Sequence, residues 1–246
     1  MTDFIYRYPQ LLPGILIRRY KRFFAEIELS NQEIITAHCP NTGSMTGLCQ
    51  PGSLVQVSIS DNPQRKLAYT WEMVQVKPDT WVGVNTNLPN RVMKIALRER
   101  IFPELNPFYE HIRSEVPYGV NNKSRVDFLL SKDEHDPLVY LEVKNTTLAE
   151  GNLALFPDTI TTRGQKHLQE LMSLLPTAKA VMFYFVNRND CSEFAPAVQC
   201  DRTYAQLLQQ AQQRGLMILP CPFEITPEGI RYLGKVLKVR YDQIFS

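Results

Sequence analysis

Two β-rich segments joined by a polar turn constrain the fold of this chain more than any other feature. Residues Ser124–Leu130 and Leu138–Lys144 are rich in β-branched, aromatic and aliphatic side chains, and Ser131–Pro137 between them is polar and typical of a turn. We therefore expect a β-hairpin. Because apolar residues dominate both segments, we place the hairpin in the interior of a sheet.

The hairpin carries two carboxylates and an ammonium group. Side chains alternate between the faces of a strand, so Val126 and Phe128 should point one way, and Asp127 the other, on the same face as Glu142 and Lys144. Directly opposed residues have Cβ atoms roughly 4.5 to 5.5 Å apart, close enough for two carboxylates to share one ion. Oxygen ligands suit Mg²⁺, or Mn²⁺ in its place.

This arrangement is the D…ExK pattern of a metal-assisted phosphodiesterase. A metal held by Asp127 and Glu142 would neutralise a phosphate oxygen and activate a water, while Lys144 would orient that water and stabilise the developing charge. A plain ion pair on an exposed strand face is the alternative, since short motifs also arise by chance. Burial favours the metal site, because unpaired charges in a sheet interior are costly.

Helical and strand patterns continue after the hairpin. A polar loop is predicted through Gly151 and Pro157, then a helix over Thr161–Leu175 and a buried strand over Ala180–Val186. The order of strand, strand, helix and strand indicates an α/β domain. The helix begins with polar residues that are candidates for contact with a substrate phosphate, with a solvated helix face as the alternative: Arg163, Gln165 and Lys166.

Two further elements precede the hairpin. Asn90 is a candidate cap for a helix that runs to about Arg100 and has one basic face. A strand over Ile112–Tyr118 would then bring Glu115 near the metal, as a possible additional ligand.

The first part of the chain, residues 1 to 85, is predicted to be a small β-barrel of the OB type. Its β-rich segments are Ile15–Leu29, Glu33–His38, Ser53–Ile59, Leu67–Val76 and Trp81–Val84. The opening strand interleaves cations with aromatic residues, a combination that nucleic-acid-binding barrels use, although a solvated strand edge would have the same composition. Its cations are Arg18, Arg19, Lys21 and Arg22.

Composition narrows the class of protein. The formal net charge is +2, so nucleic-acid binding has to depend on clustered rather than total charge. The five cysteines are widely spaced and form no C-x-x-C pair, which indicates reduced thiols rather than disulfides or a zinc site. Nothing resembles a signal peptide or a membrane span, so we expect a cytoplasmic protein without a membrane partner.

The chain resembles the sugar fermentation stimulation protein A family of prokaryotes. The resemblance is carried by Arg18–Glu28, Pro40–Met45, Val84–Thr86, Ser124–Phe128, Leu141–Asn145, Phe156–Asp158, Thr162–Leu168 and Val186–Arg188. It implies an OB-like barrel, a domain with the PD-(D/E)XK nuclease fold, sequence-independent DNA binding and a regulatory link to maltose metabolism. It also implies that Asp127, Glu142 and Lys144 are the motif's two acids and lysine, with Val126 in place of its proline.

We therefore predict a mixed α/β protein with an OB-like barrel over residues 1–85 and a nuclease-like domain over residues 86–246. DNA is the predicted partner and Mg²⁺ or Mn²⁺ the predicted cofactor. Two functions remain open: a metal-dependent deoxyribonuclease, and a DNA-binding regulator that keeps the fold without turnover.

Overall fold

The computed structural model describes residues 3–241, apart from the side chain of residue 120. The strands in this range are β1 (Tyr6–Arg7), β2 (Leu11–Tyr20), β3 (Phe24–Leu29), β4 (Ile34–His38), β5 (Leu54–Ile59), β6 (Tyr69–Lys77), β7 (Thr80–Gly83), β8 (His111–Tyr118), β9 (Ser124–Ser131), β10 (Val139–Thr146), β11 (Leu148–Glu150), β12 (Leu153–Phe156), β13 (Lys179–Val186), β14 (Glu193–Pro196), β15 (Met217–Ile225), β16 (Gly229–Tyr232) and β17 (Lys238–Val239). The α-helices are α1 (Leu88–Arg98), α2 (Thr162–Leu174) and α3 (Arg202–Gln213). No helix in this range is long and apolar enough to cross a membrane.

Strands β2 to β6 form a closed barrel, as predicted. The sheet order is β4-β3-β2-β5-β6-β7, and a parallel pairing of β4 with β6 closes the first five strands on themselves. β7 pairs with β6 at the end of this order and adds Val82 to the barrel core. Leu16, Ile27, Val57 and Trp71 are fully buried inside it, so alternate residues of each strand supply the barrel core.

The segment predicted as one strand over Ile15–Leu29 is instead a hairpin. β2 ends at Tyr20 and β3 begins at Phe24. Between them Lys21 and Arg22 have φ angles of 47° and 63°. Both residues sit in the left-handed region, where the backbone reverses direction. The apolar pattern continues through this turn, so hydrophobicity alone does not reveal it.

The second and larger sheet has the order β1-β16-β15-β13-β10-β9-β8. Strands β10, β13 and β15 run parallel, and β8 and β9 extend the sheet in antiparallel fashion. α1 packs on one face, where Val92 and Met93 join the core around Phe183. α2 and α3 pack on the other, where Leu168 and Leu208 are fully buried. This is the mixed α/β architecture predicted for the second domain.

One part of the chain differs from the prediction that residues 1–85 belong to the barrel. β1 pairs antiparallel with β16 in the larger sheet, through Tyr6 opposite Ile230. The barrel itself ends at Gly83, and α1 begins at Leu88. The N-terminal strand therefore ties the start of the chain to the second domain.

A third, smaller sheet follows the hairpin, where a polar loop was predicted. Its order is β11-β12-β14-β17. These strands have two to four residues each, too few to give a periodic signal in the sequence. The prediction of a loop through Gly151 and Pro157 is therefore wrong over Leu148–Phe156.

Candidate metal centre

The two predicted acids lie opposite each other at the end of the hairpin ladder. β9 and β10 pair Leu130 with Val139 and Phe128 with Leu141. In that register the next two positions are Asp127 and Glu142. The ladder stops there, so both acids lie where the two strands begin to separate.

Strict alternation of side chains fails at this point of β9. Val126 is buried with the α2 and α3 layer, whereas Phe128 is buried with the α1 layer. The prediction that Val126 and Phe128 share a face is therefore wrong. On the neighbouring strand, Glu115 faces position 127 with a φ of 55°, and neither residue joins the β8–β9 ladder. Glu115, predicted as a possible ligand, is itself exposed.

The carboxylate of Asp127 accepts hydrogen bonds from two different elements. One oxygen accepts a hydrogen bond from the backbone N–H of Val143 at 2.7 Å. The other accepts one from Nδ2 of Asn90, in the first turn of α1, also at 2.7 Å. Two donors from different elements thus fix the orientation of Asp127.

Glu142 is buried, with 3% of its surface exposed. Its Oε1 accepts a hydrogen bond from Nζ of Lys144 at 2.7 Å and a second from Nδ1 of His167 on α2. Because an ionised carboxylate only accepts, Nδ1 of His167 must carry the proton. Oε2 of Glu142 is also buried and accepts no hydrogen bond from the described residues, so it is free to bind a cation.

The two carboxylates differ in how readily they ionise. Burial, followed by the negative charge of Glu142, raises the pKa of Asp127 from 3.8 to about 6. Burial also opposes ionisation of Glu142, but the hydrogen bond from His167 and the charge of Lys144 outweigh it and lower the pKa of Glu142. At neutral pH the site therefore holds two negative charges against the single ammonium of Lys144.

Residues on the exposed side of α2 surround this site. Nε of Arg163 donates to Nε2 of His167 at 3.4 Å. Lys166 lies one residue from His167, and its Nζ donates to Oγ of Ser124 at 3.0 Å and pairs with Glu170 at 3.5 Å. Arg163 and Lys166 are both exposed. The structure places both predicted cations at the rim of the carboxylate site.

Gln165 has a different role from the one predicted as possible. Its Nε2 donates to both carboxylate oxygens of Asp201, at 3.0 and 2.9 Å. Asp201 in turn caps α3 by accepting from the N–H of Tyr204 at 2.9 Å. Asp201 is the N-cap of α3, so Gln165 links α2 to the start of α3.

The four cations of the barrel are not equivalent. Arg18 forms a two-point ion pair with Glu26, at 2.7 and 2.8 Å. Arg19 is partly buried and donates to the carbonyls of Arg22, Asn41 and Gly43, at 2.9 to 3.1 Å.

In contrast, Lys21 and Arg22 are exposed at the tip of the β2–β3 turn. Lys21 and Arg22 are thus the exposed cations of this turn, whereas Arg19 holds the loop that contains Asn41 and Gly43.

Two residues of the site were missed in the sequence. His167 falls on the buried face of α2 with Gly164, Leu168 and Leu171, and a histidine within an apolar stripe was the available signal. Asn90 was predicted to cap α1, but the N-cap position is Asn87. Asn90 lies inside the first turn and reaches Asp127 instead.

Comparison with known proteins gives matches over most of the chain. Residues 17–84 match the model described as the SfsA N-terminal OB domain, and residues 87–229 match the sugar fermentation stimulation protein RE domain.

A sugar fermentation stimulation protein homolog from Rippkaea orientalis is 62% identical over 233 residues, covering 95% of this chain and 96% of the relative. One from Synechocystis is 61% identical over 232 residues, covering 94% and 97%.

A solved structure has the same fold. It is that of Pyrococcus furiosus SfsA in complex with Ca²⁺, which is 25% identical in sequence and superposes with a TM-score of 0.84. The match covers 97% of this chain and 100% of that one, so both domains and their connection are shared.

Proposed function

The chain belongs to the sugar fermentation stimulation protein family, and we propose that it binds DNA without sequence preference and hydrolyses phosphodiester bonds with a divalent cation held by Asp127 and Glu142. The observation that carries this proposal is the buried Oε2 of Glu142, which accepts no hydrogen bond from the described residues and lies beside a second carboxylate whose pKa burial raises to about 6. A cation between the two acids would remove the repulsion.

The donor set suits a hard, oxygen-binding cation. Within the described residues, no group of three or more His, Cys, Asp or Glu side chains is arranged to hold a metal ion. Mg²⁺ is commonly held by one or two carboxylates, with water and substrate oxygens as its other ligands. The Ca²⁺ complex of the Pyrococcus furiosus relative supports a divalent cation in this fold. When bound, the divalent cation would neutralise charge at the phosphate and activate a water.

The chain's own residues supply the remaining chemistry. Lys144 lies 2.7 Å from Glu142 and 3.3 Å from Nδ1 of His167, so its ammonium group is fixed at the edge of the site. From there it would stabilise the negative charge that develops on the phosphorus oxygens. His167 keeps Glu142 oriented and ionised. Asn90 fixes the orientation of Asp127 through its hydrogen bond.

DNA would be held through its backbone rather than its bases. Arg163 and Lys166 at the rim of the site and Lys21 and Arg22 on the barrel are exposed cations, and phosphate contacts of this kind carry no sequence information. Because the net charge of the chain is only +2, binding to the DNA backbone requires that the exposed cations be clustered.

A cleavage assay tests the proposal. Purified protein is incubated with labelled single-stranded and duplex DNA in Mg²⁺ or Mn²⁺ and, in parallel, in EDTA. We expect metal-dependent cleavage that Glu142→Gln abolishes, because the amide cannot bind the cation in the same way. Glu150→Gln, at an exposed glutamate of β11, is the matched control and should cleave like the wild type.

Binding without cleavage in any metal would contradict the hydrolytic part. It would favour the second candidate, a DNA-binding regulator; the relatives' name, sugar fermentation stimulation protein homolog, refers to sugar fermentation alone.

A further inference from the structure

We propose that the β2–β3 turn of the barrel, residues 21–23, binds one unpaired base of a DNA strand by stacking it on the ring of Phe23, while Lys21 and Arg22 hold neighbouring phosphates. This inference rests on the DNA binding of the proposed function and narrows its substrate to single-stranded or locally unpaired DNA. It adds one contact with a base to the contacts with the DNA backbone.

Phe23 presents a free aromatic ring at the tip of this turn. It is 48% exposed and belongs to none of the apolar cores formed by the described residues. The two neighbouring aromatic residues are already packed. Tyr20 and Phe24 stack on each other with ring centroids 5.3 Å apart, and the guanidinium of Arg18 lies 5.1 Å over the ring of Tyr20. Phe23 is therefore the residue of this group whose ring is available to a ligand.

The turn also holds two cations in a backbone conformation that favours other residues. Lys21 and Arg22 have φ angles of 47° and 63°, which glycine and asparagine adopt at lower cost than residues with long side chains. The backbone alone therefore does not explain a lysine and an arginine here, whereas recognition of an anion would. Both side chains are exposed, and neither pairs with a carboxylate of the described residues.

Hydrogen bonds to its backbone hold the turn in place. Nη2 of Arg19 donates to the carbonyl of Arg22 at 3.1 Å, and the N–H of Cys39 donates to the carbonyl of Phe23 at 2.8 Å. These bonds leave the side chains of Arg22 and Phe23 free. Because a turn that is already ordered loses little conformational entropy on binding, its ring and cations are pre-organised for a ligand.

The same arginine places the turn beside the second domain. Nη2 of Arg19 also donates to the carbonyls of Asn41 and Gly43, at 2.9 and 3.0 Å. In that loop, Oγ of Ser44 donates to the carboxylate of Asp158 in the second domain at 2.9 Å. A strand bound at the turn therefore lies at the end of the barrel that contacts the second domain.

The combination of groups identifies the ligand as unpaired nucleic acid. Phosphates complement the charges of Lys21 and Arg22, and a base offers the flat surface on which an exposed aromatic ring can stack. The bases of a duplex are stacked on one another and paired, so a base must leave the duplex before a protein ring can cover its face. Every base has such a face, which keeps the contact independent of sequence.

Fluorescence anisotropy in EDTA measures this contact without cleavage. The probes are labelled oligo-dT, an abasic strand and a duplex, all of the same length. Removing an aromatic ring that stacks on a base weakens binding about 5- to 150-fold. Because the turn is exposed, we expect the lower end of this range: Phe23→Ala should weaken binding of oligo-dT about 5- to 10-fold and leave binding of the abasic strand and the duplex unchanged.

Further variants assign the effect to the ring. Phe23→Trp should keep the affinity for oligo-dT, and oligo-dT but not the abasic strand should quench the fluorescence of the added indole. The Lys21→Ala, Arg22→Ala double variant should weaken oligo-dT and the abasic strand by the same factor. Leu54→Ala is the matched control, because Leu54 is 50% exposed on the barrel but lies opposite Ile15, away from the turn. It should bind all three probes like the wild type.

Equal affinity of the wild type for oligo-dT and the abasic strand would overturn the proposal. An unchanged ratio of these two affinities in folded Phe23→Ala would do so too, because any stacking would then lie elsewhere. Binding to phosphatidylglycerol vesicles that requires Phe23, with no such requirement for oligo-dT, would assign the turn to a lipid surface instead. Failure to bind any of the three probes contradicts the proposed DNA binding as a whole, whereas binding that ignores the bases contradicts the stacking alone.

Discussion

Replacing Asp127 by asparagine should stabilise the metal-free protein at neutral pH, although it removes a residue of the candidate metal centre. Burial and the charge of Glu142 raise the pKa of Asp127 from 3.8 to about 6. A shift of about two units corresponds to about 3 kcal/mol. Because the folded state holds this proton more tightly than the unfolded chain, the stabilising contribution is complete below pH 3.8 and is lost as the pH rises through about 6.

The substituted amide lacks the charge but also changes the hydrogen bonds. An asparagine at position 127 can still accept from the N–H of Val143 through its oxygen, whereas its NH₂ meets the Nδ2 of Asn90 unless that amide rotates. Losing one such bond costs about 1 kcal/mol. The net gain is then about 2 kcal/mol above pH 6, or about 4 to 8 °C in Tm for a chain of this size.

Thermal melts followed by circular dichroism in EDTA would measure this gain. The difference between Asp127→Asn and the wild type should be largest near about pH 8 and shrink toward about pH 5. Asp136→Asn, at an exposed position of the hairpin turn, controls for the loss of a surface charge. Adding Mn²⁺ should raise the Tm of the wild type only. A variant less stable than the wild type at about pH 8, or a difference independent of pH, would refute the reasoning.

Three further outcomes follow from the same contacts. Since cation binding displaces the proton of Asp127, isothermal titration should give a Kd for Mn²⁺ that rises about tenfold per pH unit below about pH 6; a flat profile would show that this carboxylate is not a ligand. Replacing Lys21 and Arg22 together by alanine should make the slope of log K against log salt concentration, measured for duplex binding, shallower by about two. Arg18→Ala should change this slope little, because Arg18 is paired with Glu26; equal effects of the two changes would contradict that distinction. Asp201→Ala should cost about 1 to 2 kcal/mol through loss of the α3 cap, measured by urea unfolding, with metal affinity unchanged; a loss of metal affinity would show that Gln165 and its partner belong to the site.

The part of the site that sequence predicts is the part built by one hairpin. Register follows from the turn and the apolar pattern, so the opposition of Asp127 and Glu142 was predictable. The exact direction of Asp127 was not, because strict alternation fails where β9 faces Glu115, a residue of positive φ on another strand. A glutamate carries no signal of such a conformation.

Tertiary contacts account for most of what the sequence did not reveal. His167 and Asn90 reach the acids only because α2 and α1 pack on opposite faces of the sheet. In the sequence Arg19 looks like its neighbours in a basic cluster, yet its guanidinium donates hydrogen bonds to the carbonyls of Asn41 and Gly43. That loop is distant in the chain, and local pattern cannot distinguish a cation that holds a loop from one that meets solvent.

Anomalous diffraction from crystals soaked in Mn²⁺ would test the central claim most directly. The metal should give a single strong peak within coordination distance of both Asp127 and the Oε2 of Glu142, with Lys144 beside it, and Glu142→Gln crystals should lack that peak. A peak at another position, or none at the two carboxylates while the protein binds Mn²⁺ in solution, would contradict a metal centre at the end of this hairpin.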